Sequence, residues 1–270
     1  MRGISRASIA EVEEQLAPLT AGAREALALG DDLFAVAGLL ATQSALRRGL
    51  ADPSRPARAR SRLATSVLSG RVSAEAASLV AAVAGARWAS PGDLTDAVEQ
   101  LAVESVAAAA EANDHLDDLE DELFRFGRIV AGEPRLRMAL TNPFVGAEAK
   151  RQLLTGLLSG KVTPEALRLI TQAAAGPLGR SLDVSLEEYA RIAARRRERL
   201  VAEVHVAVRL TAEQRGRLAA ALASAYGHQV HLNVVLDPKV AGGITVRVGD
   251  ELIDASMATR LAEARRRLAS

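Results

Sequence analysis

The chain repeats itself over half its helical length. Residues 33–80 set over residues 123–170, a shift of 90 positions with no gap, match at 18 of 48 pairs. Leu33-Phe34 falls on Leu123-Phe124, Leu46-Arg47 on Leu136-Arg137, and Pro53 on Pro143. Leu68-Ser69-Gly70-Arg71-Val72 falls on Leu158-Ser159-Gly160-Lys161-Val162, and Glu75-Ala76 on Glu165-Ala166. The matches keep Pro, Gly and Glu in order, which an Ala- and Leu-rich composition does not produce by coincidence. The constraint is strong: the same pattern has to be buried twice, so the chain holds a duplicated unit.

Each copy reads as helices. Leu116, Leu119, Leu123, Phe126 and Val130 recur at spacings of three and four, the apolar face of an α-helix, and Leu33, Val36 and Leu40 keep that register in the first copy. Asp52-Pro53 and Asn142-Pro143 end helices, because the residue before proline is pushed out of the helical region. Thr163-Pro164-Glu165 and Ser73-Ala74-Glu75 open new ones: a hydroxyl accepts a backbone N–H and a carboxylate meets the positive end. One copy's last helix runs into the next copy's first, which predicts a long shared helix from about Pro91 to Asn113.

After about Leu200 the period falls to two. Val204, Val206, Val208 and Leu210 alternate with polar or small residues, as do Val230, Leu232, Val234 and Leu236, and then Ile244, Val246 and Val248. Gly249-Asp250 supplies a turn. Thr211-Ala-Glu-Gln214 is a capping box that opens a helix to about Tyr226, and a final helix is expected from about Ala255 to Leu268. The expected architecture is mainly α: two tandem copies of a helical-bundle domain, residues 1–95 and 96–199, followed by a small α/β C-terminal domain, residues 200–270. The apolar strand faces are expected to be core under two helices.

Composition narrows the function. The 34 basic and 33 acidic residues leave a formal charge of +1, so no global field draws the chain to nucleic acid or an anionic membrane. A nucleic-acid module using the Arg clusters would bind in a salt-sensitive way, and 3% aromatics offer it no stacking platform. Only Lys150, Lys161 and Lys239 are lysines, an Arg bias that reads as GC-rich coding. There is no cysteine, which removes disulfides, thiolate metal sites and cysteine nucleophiles. MRGISRAS leads into EVEEQL without an apolar core, unlike a signal peptide. The longest nearly charge-free stretch, Ala76 to Ala86, is far short of the roughly 20 residues that span a bilayer. A cytoplasmic, soluble chain is expected, tied to a membrane only through a partner.

Local candidates for chemistry are weak. Gly156-Leu-Leu-Ser-Gly160-Lys161-Val162 has three residues between its glycines where a phosphate loop needs four, and Val where the magnesium-binding hydroxyl belongs; a helix C-cap at Gly160 accounts for it. His205, His228 and His231 lack convincing ligand spacing and read as surface histidines. The acidic run Asp114–Glu122 and the basic runs Arg195–Arg199 and Arg265–Arg267 suit helix ends and read as solvated faces. No acid/base pair or nucleophilic constellation is evident, so neither an enzyme nor a cofactor is expected.

Gly242-Gly243-Ile-Thr-Val-Arg-Val-Gly249-Asp250-Glu-Leu-Ile-Asp254-Ala-Ser256, followed by Leu261, resembles the C-terminal signature of ATP synthase delta subunits and the oligomycin-sensitivity-conferring protein. Glu133-Pro-Arg-Leu-Arg-Met-Ala-Leu-Thr-Asn-Pro-Phe144, through Lys150, resembles that family's Asn-Pro segment. The two matches cover about residues 100–270. Ala255 departs from the family's usual Gly, and the leading ~95 residues are an additional helical copy, similar to delta subunits of high-GC Gram-positive bacteria.

The resemblance implies a non-catalytic stator subunit on the cytoplasmic face of the plasma membrane. Its helical domain would grip N-terminal helices of alpha subunits at the top of the catalytic head. Its C-terminal domain would grip the b subunit of the peripheral stalk, so that proton-driven rotation is coupled to ATP synthesis. By that analogy an alpha helix would lie between the first and fifth helices of the second copy, against Val103, Val106 and Ala110 on one side and Leu167, Ile170 and Ala174 on the other. The sequence equally allows these residues to be internal core. Leu79, Val80 and Val83 keep the apolar character of a second such groove in the first copy. Arg260 and Arg265 on the final helix are the candidate stalk contacts.

Overall fold

The computed structural model describes residues 3–176, 178–197, 200–226, 230–237, 240, 244–248 and 251–254. Residues 1–196 form one compact unit and residues 197–270 another. In the first, α1 (Ile4–Leu16) passes through a short 3-10 turn (Ala17–Leu19) to α2 (Ala23–Thr42). Then come α3 (Ser44–Ala51), α4 (Ala57–Leu68), α5 (Ala74–Gly85), α6 (Pro91–Ala112), α7 (Leu116–Gly132), α8 (Pro134–Thr141), α9 (Ala147–Leu158), α10 (Pro164–Ala175) and α11 (Leu182–Arg197). A shift of 90 places α2 to α5 on α7 to α10, and α6 serves as the last helix of one copy and the first of the next.

The punctuation is duplicated down to single hydrogen bonds. In each copy a Ser or Thr at the N-cap of the fifth helix accepts from the backbone N–H three residues on, Ser73 from Ala76 and Thr163 from Ala166, both at 3.3 Å. The N–H of that same cap residue is met by a carboxylate from the second helix: Asp32 reaches Ser73 N at 2.8 Å, and Glu122 reaches Thr163 N at 2.9 Å. The guanidinium of Arg47 donates to the carbonyls of Leu40 and Ala41, and that of Arg137 to those of Val130 and Ala131. Asp52 and Asn142 each stop a helix before proline and accept from the N–H two residues on, at 2.9 Å. Gly70 and Gly160 take φ of +71° and +72°, a left-handed conformation open to glycine. The phosphate-loop-like stretch is therefore the end of α9 and this turn.

The two copies share one core. It runs without interruption from Ile9 to Ala193, and the line between residues 95 and 96 falls inside α6. Sixteen of the 22 residues of α6 are buried, more than one face can supply, so α6 is a central helix surrounded by its neighbours. Its start is set by Ser90, whose hydroxyl accepts from Asp93 N–H at 3.2 Å, and by Pro91 at the first helical position. It stops in a Schellman turn: Asp114 takes φ +57°, His115 N–H returns to the Ala110 carbonyl at 2.7 Å, and Asp114 N–H to that of Glu111.

The second unit contains β1 (Leu200–Val206), α12 (Ala212–Tyr226), β2 (Val230–Leu236), β3 (Ile244–Val248) and β4 (Glu251–Asp254). The sheet order is β2-β1-β3-β4, with β1 and β2 parallel and the other pairs antiparallel. The parallel pair is joined through α12, the crossover that parallel strands require. Thr211 and Gln214 exchange the two hydrogen bonds of a capping box at its start, 2.9 and 3.2 Å. Val204 lies opposite both Val234 and Val246. Val204, Val206, Val230, Val246 and Leu222 form the core, with Leu218, Leu232, Val234 and Ile244 at its margin.

The first strand is shorter than its alternation predicts. Pairing ends at Val206, whose carbonyl takes the N–H of Asp237 at 2.9 Å just past the end of β2. Val208 lies past the paired residues of β1 and is 77% exposed. The final helix expected from Ala255 to Leu268 lies outside the described residues.

Candidate partner-binding surfaces

The helical pair expected to wall a groove is α6 and α10, and most of the expected wall is covered by the chain itself. Five of the six expected wall residues are interior: Val103, Val106, Ala110 and Ile170 are fully covered and Ala174 is 3% exposed. Leu167 is half-buried. In the first copy Leu79, Val80 and Val83 are interior as well. Leu167 apart, these positions are core in the free chain rather than the walls of an open groove.

The reason lies in α2. It runs along α6 through small residues, with Ala26 clustered against Ala108 and Ala109. A Cβ at Gly30 would stand 2.9 Å from Val106 Cγ2 and 3.3 Å from the Ala102 carbonyl. From the same helix Asp31 pairs with Arg168 on α10. Thus α2 covers the Val106 side of α6 and reaches α10 through the Asp31–Arg168 pair.

Polar groups lock this arrangement. The Glu99 carboxylate on α6, 2% exposed, accepts from Tyr189 Oη at 2.6 Å and pairs with Arg180. Burial pushes the Tyr189 phenol far above its ordinary range, against the opposing pull of Arg180. The Tyr189 ring also meets Phe34 of α2, centroids 6.2 Å apart, so α11 touches both copies. Gln100 donates to Glu13 at 2.5 Å, tying α6 to α1. At the far end of α6, Glu165 is fully buried and accepts from Asn113 at 2.7 Å, with His115 Nδ1 at 3.2 Å.

Two charge runs read as solvated faces make specific contacts instead. Arg196, 15% exposed, pairs with Glu111 at 2.7 Å, and Glu122 of the acidic run is the cap of α10. His205 lies 3.7 Å from Asp237. Among the described residues no group of His, Cys, Asp or Glu is arranged to hold a metal, and no helix is long and apolar enough to cross a membrane. Asp254 closes β4. The other signature residues, Gly242, Gly243, Gly249, Asp250 and Ser256, and the stalk candidates Arg260 and Arg265, lie outside the described residues.

Apolar surface does exist, and it sits elsewhere. Phe124 on α7 is 61% exposed, Met138 on α8 65%, and Phe144 in the turn after α8 95%, with Leu153 and Leu157 of α9 partly open. Overlaying the copies could have signalled this, since Met138 and Phe144 stand where the first copy has Arg48 and Ser54. Exposed apolar surface of this kind marks a docking site more often than a scattered side chain does.

Similarity to known proteins agrees with this anatomy. The family described as ATP synthase delta (OSCP) subunit matches residues 102–268. The chain is 45% identical over 269 residues to ATP synthase subunit delta of Thermobifida fusca, covering all of both chains. It is 46% identical over 268 residues to that of Kineococcus radiotolerans, covering 99% of this chain and 97% of that one. It is 45% identical to that of Streptomyces griseus over 270 residues, again covering both completely. These relatives span the additional helical copy as well as the matched region, and the chain belongs to the ATP synthase delta (OSCP) subunit family.

Proposed function

We propose that this chain is a non-catalytic stator subunit of an F-type ATP synthase, joining the catalytic head to the b subunit of the peripheral stalk at the cytoplasmic face of the membrane. The observation that carries the reading, beside family membership, is the division of the chain into two compact units at Arg197. A joint needs two grips, and each unit has its own core. Residues 96–199, with 1–95 packed on them, hold alpha-subunit N-terminal helices. Residues 200–270 hold b, with Arg260 and Arg265 among the contacts.

The burial of α6 and α10 refines the head contact. An alpha helix that uses Val103, Val106, Ala110, Leu167, Ile170 and Ala174 has to open the packing that buries most of them; otherwise it docks on apolar residues already exposed. Crosslinking separates the two. A photoreactive group at position 167 and another at position 144, each in chain assembled with the head, should label the alpha N-terminus from one position and not the other. Labelling from neither removes the alpha contact from this unit. Pull-down of a tagged full-length chain should bring alpha, beta and b subunits together, and recovery of none of them overturns the stator reading.

A further inference from the structure

The two copies fasten the turn into their sixth helix differently. In the first copy that turn joins α5 to α6, and side chains from α1 and α4 hold it. Arg60 of α4 donates to the carbonyls of Gly85 and Ala86 at 3.1 and 2.7 Å. From α1, Ser8 donates to the Arg87 carbonyl at 2.7 Å, and the Ser5 hydroxyl accepts from Ala89 N–H at 2.9 Å while donating to Asp93. Trp88 Nε1 closes the turn on the Val83 carbonyl at 2.8 Å. A shift of 90 carries Arg60, Ser8, Ser5 and Trp88 onto Lys150, Val98, Thr95 and Leu178. The bonds are not repeated. Among the described residues Lys150 donates to no carbonyl at the end of α10, and the Thr95 hydroxyl is buried without a partner. Val98 and Leu178 have no polar group to offer.

What holds α11 instead is sparse. Glu99 of α6 takes both Tyr189 and Arg180, and Arg196 pairs with Glu111, whose side chain is 44% exposed. The buried residues of α11, Leu182, Leu186, Tyr189, Ile192 and Ala193 among them, lie on one side, whereas α6 is buried nearly all round. Nor does the start of α11 close on its own copy. A cleft of about 360 Å³ separates Leu182 and Leu186 from Val130 of α7 and Thr141 of α8. Thr141 is exposed, while Ala51, its counterpart in the first copy, is buried. The first turn of α11 is capped locally, by the Ser181 hydroxyl donating to Asp183.

We infer that α11 is a detachable strap, released from the helical core as one piece while α2 and α6 stay folded, with Glu99 as its latch. A segment that shares few bonds with its surroundings opens at a lower free energy than the core it lies on. An isolated helix of this length is marginal in water, so release exposes its amides. In the chain, α11 is the last helix of the first unit and ends at Arg197, where the second unit begins. A pull transmitted along the chain from the second unit therefore reaches α11 before any other helix of the core. The inference concerns the chain's own bonds and stands or falls apart from the stator reading.

Native-state hydrogen exchange on the full-length chain tests this. The amides of α11 should exchange together, roughly tenfold or more faster than those of α6, and with a weaker dependence on urea. Asp32→Ala removes a bond between α2 and the start of α5. It should quicken exchange at α5 and leave α11 at its wild-type rate, because a strap that opens alone does not wait for the core. The chain has no cysteine, which allows a second reading. Ala193→Cys on α11 and Ala107→Cys on α6 each put a thiol at a fully buried position. Under native conditions a thiol reagent should modify the first roughly tenfold or more faster than the second. Protection of α11 equal to that of α6, exchange at α11 that quickens with Asp32→Ala, or equal labelling of the two thiols each overturns the proposal.

Discussion

Tyr189 is the residue on which the packing of the helical unit turns. Its ring touches α2 and its hydroxyl donates to a Glu99 carboxylate that is otherwise held by Arg180. Tyr189→Phe keeps the ring contact and leaves a buried carboxylate oxygen without its donor, which costs about 1–3 kcal/mol. Urea denaturation should show that loss without a change in slope. Ile170→Asp is more severe, because it puts a charge at a fully buried position. We expect lost helicity together with lost binding, well beyond the ~1 kcal/mol of an ordinary substitution. Intact helicity would return Ile170 to a groove wall. Asp96 tests the electrostatics of the same region. Burial, only partly offset by Arg180, raises its carboxyl above the usual carboxylate range. The native chain thus holds that proton more firmly than the unfolded one. Ionised Asp96 penalises folding as pH rises through the native value, and the penalty vanishes below the ordinary range. Asp96→Asn should raise the melting temperature at pH 7 by an amount that shrinks toward about pH 3.5, below the ordinary aspartate range; a difference independent of pH would contradict this.

At the scale of elements, the duplicated caps are where sequence and structure correspond most closely. Asp32 and Glu122, 90 residues apart, each reach across to the start of the fifth helix of their copy. Asp32→Ala and Glu122→Ala should each destabilise by about 0.5–2 kcal/mol, the usual worth of an N-cap acceptor. Amide exchange should show the effect at α5 and α10 respectively, and a loss spread evenly over the unit would speak against local capping. The repeat, the prolines, Ser73, Thr163, the shared helix and the Thr211 box were all readable, because each acts through near neighbours in the chain. The burial of Val103, Val106 and Ala110 was not, because α6 is buried on nearly every side and its sequence does not say which neighbour covers which face. At Val106 that neighbour is α2, far from α6 in the chain, and its signal is a lone Gly30. Val208 misled for a related reason: alternation persists past Val206, where β1 ends.

The whole molecule is two cores on one chain. The helical core closes at Ala193 and the sheet begins at Leu200, so a cut after Arg199 passes between them. The chain ending at Arg199 should keep its helical circular dichroism and still bind the head. Without residues 200–270 it lacks the grip proposed for b. Membranes assembled with the truncated chain in place of the full one are the most direct test of a joint between head and stalk. The proposed division of labour predicts that the head retains ATP hydrolysis, that b is no longer recovered with it, and that proton-driven ATP synthesis is lost. Proton-driven synthesis at the full-length rate, with b still recovered on the head, would contradict it.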